Sequence, residues 1–536
     1  MKIRSFHEGR IRNREIVSLP GARLDEPASA VSRKTICSTG PSPAPFSFEF
    51  FSCSVQYLRG FGYCARASAE RRSLGRRIAG EDTMKRTWAM HLKKMNPALI
   101  IIYSYLVADL LGTLLLSLPA ASTGEPVSTL DALFTATSGL CVTGLTVVDT
   151  GTAYTVFGQS VILALMEIGG LGVMTFSVLF FLFLGRGFST RGRWIITESF
   201  TATPVRNAAS LLKSIFLFTF VVEAIGALLL FIQWHGDMAF PSAVFASLFH
   251  SISAFCNAGL ALFGTSFVRY RGSILLNVTI CSLIVLGGIG FPVIYEFISR
   301  VKTIRVRRRV SFSLHTRMVL MTTLILILSG TVLVFMLERN NQIAGLSVKE
   351  KILASLFQSI TARTAGFNTL DTGALTVATL FVLIILMFVG ASPGSCGGGI
   401  KTTSLAVLVA IMNDRIKGRH SASLFRRTIP DETVSKALSI FILAVITLTA
   451  GLICLLITQP DPPREFFLTY VFEAVSAFGT VGLSMGITPS LTAIGKLIII
   501  LIMLLGRVGL LTVAYVVTSR RVAAPFRYGE EKVMIG

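Results

Sequence analysis

Eight apolar runs punctuate the chain, near residues 97–118, 157–184, 209–233, 273–298, 316–337, 374–411, 436–457 and 491–518. Each approaches or exceeds the ~20 residues a helix needs to cross a hydrocarbon core of about 30 Å, so each predicts a membrane segment. The connections between them alternate. One set is strongly basic: the leader with Lys85, Arg86, Lys93 and Lys94, then 186–206, 300–317 with its VKTIRVRRR, 415–427 and 520–527. The other set, 119–131, 234–248, 338–351 and 458–470, carries almost no excess positive charge. Basic loops are retained in the cytoplasm. The alternation therefore places the chain in the plasma (inner) membrane with both termini cytoplasmic.

Each weakly charged connection is followed by a short, moderately apolar segment that begins with Phe and ends near a glycine. The four read FTATSGLCVTGL (134–145), FHSISAFCNAGL (249–260), FQSITARTAGF (357–367) and FEAVSAFGTVGL (472–483). Gly144, Gly259, Gly366 and Gly482 stand 115, 107 and 116 residues apart. Three copies carry Ser six residues before that glycine, at Ser138, Ser253 and Ser476, and the third is one residue shorter between Phe357 and Gly366. One order of elements at a near-constant period is internal repetition. The unit is a span, a short re-entrant segment and a span. The segments are too short to cross, and non-helical backbone at membrane depth survives only where protein buries it or water reaches it. Four around one axis meet that condition; four separate interfacial loops would leave the repetition without a cause. The predicted fold is an all-α polytopic membrane protein of four tandem membrane helix–pore loop–membrane helix repeats around one pseudo-fourfold pore. Its divisions are 84–206, 207–312, 313–430 and 431–520, with a cytoplasmic tail at 521–536.

A cation filter replaces water oxygens with backbone carbonyls aimed at an axis. Aiming consecutive carbonyls alike needs residues at φ > 0, which glycine reaches without steric cost. The candidate filter residues are accordingly Val142, Thr143 and Gly144; Asn257, Ala258 and Gly259; Thr364, Ala365 and Gly366; and Thr480, Val481 and Gly482. Each preceding short helix would turn its partly negative C-terminal end toward the ion.

The sixth run contains Gly390, Ala391, Ser392, Pro393, Gly394, Ser395, Cys396, Gly397, Gly398 and Gly399. Pro removes a backbone donor, and each Gly costs a helix about 1 kcal/mol. The helix is expected to break there, and a break at membrane depth marks a permeation path. Arg507, in the last run, is costly in a membrane and expected to face a cavity or a partner. Together these residues form a candidate gate. Asp109, Glu167, Glu223, Glu296 and Glu473 lie within or near spans without an assigned ion. GSCGGG followed by Lys401, Thr402 and Thr403 lacks the spacing and strand-to-helix setting of a phosphate-binding loop, so no nucleotide site is expected on this chain. His250 has no partner at metal-ligand spacing, so no enzyme chemistry is expected either.

Composition agrees. The chain of 536 residues is 52% hydrophobic and 15% charged, with a mean hydropathy of +0.70, against about 25% charged for soluble domains. The net charge of +22 would suggest nucleic acid, but it sits in the short loops that set topology, so membrane lipid and not nucleic acid is the expected surroundings. Eight cysteines form no CxxC pair, which supports neither zinc nor a disulfide framework. Residues 1–83 show no sustained period. They read either as a disordered basic arm or as sequence upstream of a true start at Met84 or Met90.

The four loops, above all TARTAGFNT at 361–369, closely resemble those of the KtrB-type potassium-translocating subunits of the bacterial Trk/Ktr/HKT superfamily. The resemblance spans about residues 90–530. It implies K⁺ uptake through a carbonyl-lined filter with one glycine per loop, K⁺ as the transported ion and Na⁺ as an optional activator. It further implies an intramembrane gating loop, an arginine at the place of Arg507, a separate KtrA-like cytosolic nucleotide-binding ring and a homodimer with one pore per subunit. Trk-type relatives carry two further helices before the first repeat; no apolar run precedes residue 97 here, which favours the Ktr type. Strictness of K⁺ over Na⁺, and Na⁺- or H⁺-coupled symport, stay open.

Overall fold

The computed structural model describes residues 97–183, 208–304, 312–419, 421–459 and 466–510, all in the second of two units, Thr87–Gly536. The 1–83 arm, the leader, the loop at 184–207 and the 521–536 tail lie outside the described residues. The fold is helical. Among the described residues the only named strands are a two-residue hairpin, Ser423–Leu424 against Arg427–Thr428.

The elements recur in fours. The first repeat is α1 (Pro97–Leu116), the pore helix α2 (Thr129–Leu140) and α3 (Val156–Phe183). The second is α4 (Ala208–Trp234), the pore helix α5 (Phe240–Cys256), and α6 (Ile274–Ile289) with α7 (Phe291–Ile304). The third is α8 (Leu314–Glu338), the pore helix α9 (Val348–Thr361), α10 (Val377–Phe388) and α11 (Thr402–Ile416). The fourth is α12 (Asp431–Thr458), the pore helix α13 (Phe467–Gly479) and α14 (Ala493–Val508). The first helices of repeats two to four are long and apolar enough to cross a membrane: Lys213–Trp234, Leu314–Glu338 and Asp431–Thr458. Their outward faces are bare. On α4 alone Leu217, Phe220, Val221, Ile225 and Leu228 are exposed. A water-facing surface would not carry so continuous an apolar face, whereas a helix with its backbone bonds closed internally suits lipid.

The pore helices are buried, and polar caps hold the starts of α2 and α9. Ser128 Oγ accepts from Asp131 N at 3.2 Å, and Ser347 with Glu350 forms a capping box on α9, satisfying donors that a helix start leaves free. The Phe that opens each copy of the motif, Phe134, Phe249, Phe357 and Phe472, is fully buried. Each inner helix packs on the next repeat's pore helix: α3 on α5, α6 on α9, α10 on α13, and α14 back on α2. The cycle closes where Lys496 Nζ meets Asp131 Oδ1 at 2.6 Å, joining the last inner helix to the first pore helix.

One span departs from its expected form. The run at 273–298 is not a single helix: α6 and α7 meet at a bend of 97°. Gly290 sits at the corner with φ +97°, and Pro292 follows it. Phe291 N donates to Gly394 O at 2.8 Å, so a contact from the third repeat replaces helical bonding at the bend. The run at 374–411 divides into α10 and α11, with non-helical backbone from Val389 to Lys401.

The closure predicts a stability effect. The Lys496–Asp131 pair is only 13% and 19% exposed, and removing one partner of such a charge-assisted bond costs about 1.5–3 kcal/mol. Lys496→Met and Asp131→Asn should each destabilise the detergent-solubilised protein by that order, with the double variant costing less than the sum. Strict additivity in a double-mutant cycle would show that the pair does not hold the ring.

Candidate functional site

All twelve candidate filter residues come together where the four pore helices end. The backbone is the same in each loop. Two residues before each glycine the chain turns left-handed, at Val142 (φ +58°), Asn257 (+61°), Thr364 (+69°) and Thr480 (+50°). The glycines are left-handed too: Gly144 (+95°), Gly259 (+69°), Gly366 (+80°) and Gly482 (+88°). Thr143, Ala258, Ala365 and Val481 between them are not. Alternating the sign of φ turns successive carbonyls to one side, and non-glycine residues hold φ > 0 only where surrounding structure enforces it.

Here that enforcement is a bond repeated four times. Thr143 N donates to Ser138 O (2.8 Å), Ala258 N to Ser253 O (2.7 Å), Ala365 N to Thr361 O (2.9 Å) and Val481 N to Ser476 O (2.9 Å). The hydroxyls of the same four residues brace the loop from behind. Ser138 and Ser476 accept from Gly144 N and Gly482 N, both at 3.1 Å. Ser253 donates to Leu260 O at 2.8 Å, and Thr361 donates to Phe367 O at 2.6 Å. Thr361 stands five residues before its glycine where the three serines stand six; counted forward from Phe, all four hydroxyls fall at the same place. Asn257 lies 3.1 Å from Thr364 Oγ1 across the boundary of two loops. With its oxygen toward that hydroxyl, its nitrogen donates to the Ala254, Phe255 and Ile284 carbonyls.

The glycines close a ring. A Cβ on Gly259 would lie 2.6 Å from Ala365 O, and one on Gly366 2.6 Å from Val481 O. One on Gly144 would strike Ala258 O, and one on Gly482 would strike Thr143 O. Each loop thus abuts the carbonyl just before its neighbour's glycine, in the order one, two, three, four, one. On one side of the ring a cavity of about 280 Å³ is lined by all four glycines, Asp149 and Asn368.

On the other side sits the candidate gate, and every repeat touches it. Repeat two holds Ser392 N and Cys396 N through Gly288 O and Gly287 O, both at 3.1 Å. Pro393 O lies against Gly290. Repeat four holds Gly398 N through Thr480 Oγ1 at 2.9 Å. Repeat three crowds Gly397 with the Thr364 hydroxyl. Arg507 spans the rest: Nη1 donates to Cys396 O, Nη2 to Gly169 O of repeat one, and Nε lies 3.5 Å from Tyr105 Oη. Within the loop, Val389 and Ile400 bridge, bringing Gly390 against Gly398 and Gly399. Ser395 Oγ donates to Ser392 O (2.6 Å), and Thr402 Oγ1 lies 2.9 Å from Ser392 Oγ. Ala391 O accepts from Thr402 N at 3.4 Å; Gly394 and Gly399 are left-handed at +69° and +66°.

The acidic residues divide by role. Asp109 accepts from Thr137 Oγ1 at 3.0 Å, fastening α1 to α2. Glu473, fully buried, accepts from Ser484 Oγ at 2.8 Å and from Thr488 Oγ1, tying α13 to the loop after its glycine. Glu296 accepts from Ser313 N at 2.9 Å. Glu167 and Glu223 gather around Cys256. None of the five lines the glycine ring's cavity. A recurrent Gly-x-x-Gly on the inner helices, Gly169–Gly172, Gly287–Gly290 and Gly506–Gly509, also carried a signal. The first glycine of each pair sits against a pore-helix carbonyl, that of Leu140, Phe255 or Phe478, and the second glycine of the middle pair, Gly290, is the corner residue in the α6–α7 bend.

Comparison with known proteins gives the family. The family model TrkH, described as a cation transport protein, matches residues 78–524. The chain is 39% identical over 456 residues to the Ktr system potassium uptake protein B of Bacillus subtilis (strain 168), covering 85% of this chain and 100% of that protein. It is 36% identical over 450 residues to the potassium/sodium uptake protein NtpJ of Enterococcus hirae, covering 83% and 98%. The crystal structure of the potassium transporter TrkH from Vibrio parahaemolyticus shares the fold at a TM-score of 0.63 and 18% identity, covering 79% of this chain and 86% of that one. These relatives are transporters and not enzymes. With the family model matching most of its length and a full-length relative at 39% identity, the chain belongs to the TrkH family of cation transport proteins.

Proposed function

We propose that the chain carries K⁺ into the cell across the plasma membrane, through the glycine ring as a carbonyl filter, with residues 390–399 as a plug beneath it. The observation that carries this reading is the closed four-loop ring: four identical backbone turns with alternating φ, the arrangement that aims carbonyls at an axis. The pore helices end at that ring, and their partly negative ends favour a cation there. Relatives named as potassium uptake proteins supply the ion. On this reading the cavity above the ring is the outer vestibule. The weakly charged connections face outward, and both termini face the cytoplasm.

The plug explains why a regulator is needed. Arg507 has five donors and no acceptor, so it satisfies carbonyls that an unwound segment leaves free, and its charge opposes K⁺ in a low-dielectric path. A separate cytosolic nucleotide-binding ring of the KtrA kind would displace the plug, docking on the basic loops; relatives named as parts of a Ktr system support a multi-subunit assembly. One chain closes its own ring, so a homodimer would carry two independent pores. A second reading, Na⁺-coupled uptake or activation by Na⁺, draws on the relative named for potassium and sodium. Flux that follows the K⁺ gradient alone, with Na⁺ absent, would remove it.

In a host lacking K⁺ uptake systems, the chain with its regulator should restore growth at low K⁺. Gly259→Asp should reduce Rb⁺ uptake to background, because no side chain fits against Ala365 O; undiminished uptake would remove the filter assignment. Shortening the loop within 391–399 should raise flux without the regulator and flatten the response to nucleotide. Arg507→Ala should act in the same direction. Variants that reach the membrane and still conduct only with the regulator would place the gate elsewhere.

A further inference from the structure

The cavity lined by the four ring glycines is uneven in charge. Its polar wall groups are neutral, Asn368, Ser484 and Thr488 among them, with a single exception among the described residues, Asp149. Asp149 stands five residues after Gly144; the same place in the other repeats holds Gly264, Asp371 and Ile487. Asp371 is exposed and is not part of the wall.

One oxygen of Asp149 holds the side chain in place. Oδ1 accepts from Gly151 N and Thr152 N, both at 2.9 Å, and from Thr152 Oγ1 at 3.0 Å, capping the short helix Thr150–Ala153. That helix is itself fixed between repeats one and two. Gln159 Nε2 donates to Thr150 O at 3.3 Å and to Gly151 O at 3.2 Å, and a Cβ on Gly151 would strike Leu262 O. The second oxygen, Oδ2, takes none of the capping bonds. It lies 3.1 Å from the point that a Cβ on Gly264 would occupy, and Gly264 lines the same cavity. The ion pairs of the described residues do not include Asp149. Its carboxylate is therefore fixed at the cavity wall without a basic partner there.

A side chain kept only to cap a helix could be asparagine, which caps as well. What aspartate adds is charge. A cleft with one sign of charge and low-dielectric walls focuses the field and raises the local concentration of counter-ions. We propose that Asp149 recruits the permeant cation: it concentrates K⁺ at the outer mouth before the ion exchanges its water for the carbonyls of the ring. The inference deepens the uptake reading and rests on it.

The experiment uses the full chain with its regulator in a host lacking K⁺ uptake systems. It reads Rb⁺ uptake against external Rb⁺ at two ionic strengths set with N-methylglucamine chloride. At about 0.01 M the Debye length is about 30 Å, and at about 0.15 M it is about 8 Å. Asp149→Asn keeps the size and the capping oxygen and removes the charge. It should raise the external Rb⁺ concentration for half-maximal uptake about 3- to 10-fold at the lower ionic strength. The difference should shrink at the higher ionic strength, and the maximal rate should change less than the half-maximal concentration. Asp149→Glu keeps the charge, displaces the capping oxygen and should stay within about twofold of native. Asp371→Asn removes a charge outside the wall and should shift the value less. If Asp149→Asn fails to reach the membrane, Asp149→Ser, which also caps, takes its place with the same expectation. Equal impairment by the Asn and Glu variants would overturn the proposal, because the cap would then be what matters. A shift indifferent to ionic strength, or one that Asp371→Asn reproduces in full, would overturn it too. A native half-maximal concentration in Asp149→Asn, with Gly259→Asp still abolishing uptake, would overturn recruitment and leave the filter standing. Uptake that survives Gly259→Asp would remove the filter reading and this inference with it.

Discussion

Where Gly144, Gly259, Gly366 and Gly482 meet the carbonyls of neighbouring loops, there is no room for one more carbon atom. That constraint organises the molecule. Four chain segments must approach within van der Waals distance at membrane depth, where water cannot satisfy their polar groups. Each must do so in a left-handed conformation that costs little only for glycine. The buried Phe of each pore helix, the repeated bond to the backbone of Ser138, Ser253, Thr361 or Ser476, and the hydroxyl brace behind each loop all serve to hold four such turns in register. The packing of each inner helix on the next pore helix then makes the ring a property of the whole fold.

The plug follows from the same constraint applied elsewhere. Thirteen residues from Val389 to Lys401 leave the helix, and their freed backbone groups need partners. The partners come from repeats two, three and four, and two are cations, Arg507 and Lys401. Charges that satisfy carbonyls in this position also oppose a cation on the axis. On the proposed reading, satisfying the backbone and closing the path are one arrangement, and moving the segment aside would free both at once.

Much of this was legible in the order of residues. The apolar runs, the alternation of charge and the four Phe-to-Gly segments lead to four repeats around an axis. The Gly/Pro-rich stretch at 390–399 leads to a broken helix. Thr361 was harder, because one residue is missing in that copy and the usual Ser is replaced by another hydroxyl. The bend at Gly290 was harder still. Its apolar run is unbroken by charge, and what stabilises the corner is a carbonyl from Gly394, more than a hundred residues away. Lys401 looked like the end of a failed phosphate-loop pattern until its ammonium was placed on Gly397. These features depend on contacts between repeats, which periodicity along one segment does not encode.

The central claim is that the carbonyls of Thr143, Ala258, Ala365 and Val481 face a cation. Tl⁺ scatters anomalously and substitutes for K⁺. Anomalous diffraction from crystals grown with Tl⁺ should show density on the axis encircled by those four carbonyls, and the density should vanish when Na⁺ or a large organic cation replaces Tl⁺. Tl⁺ bound elsewhere in the protein, with the ring empty, would contradict the account.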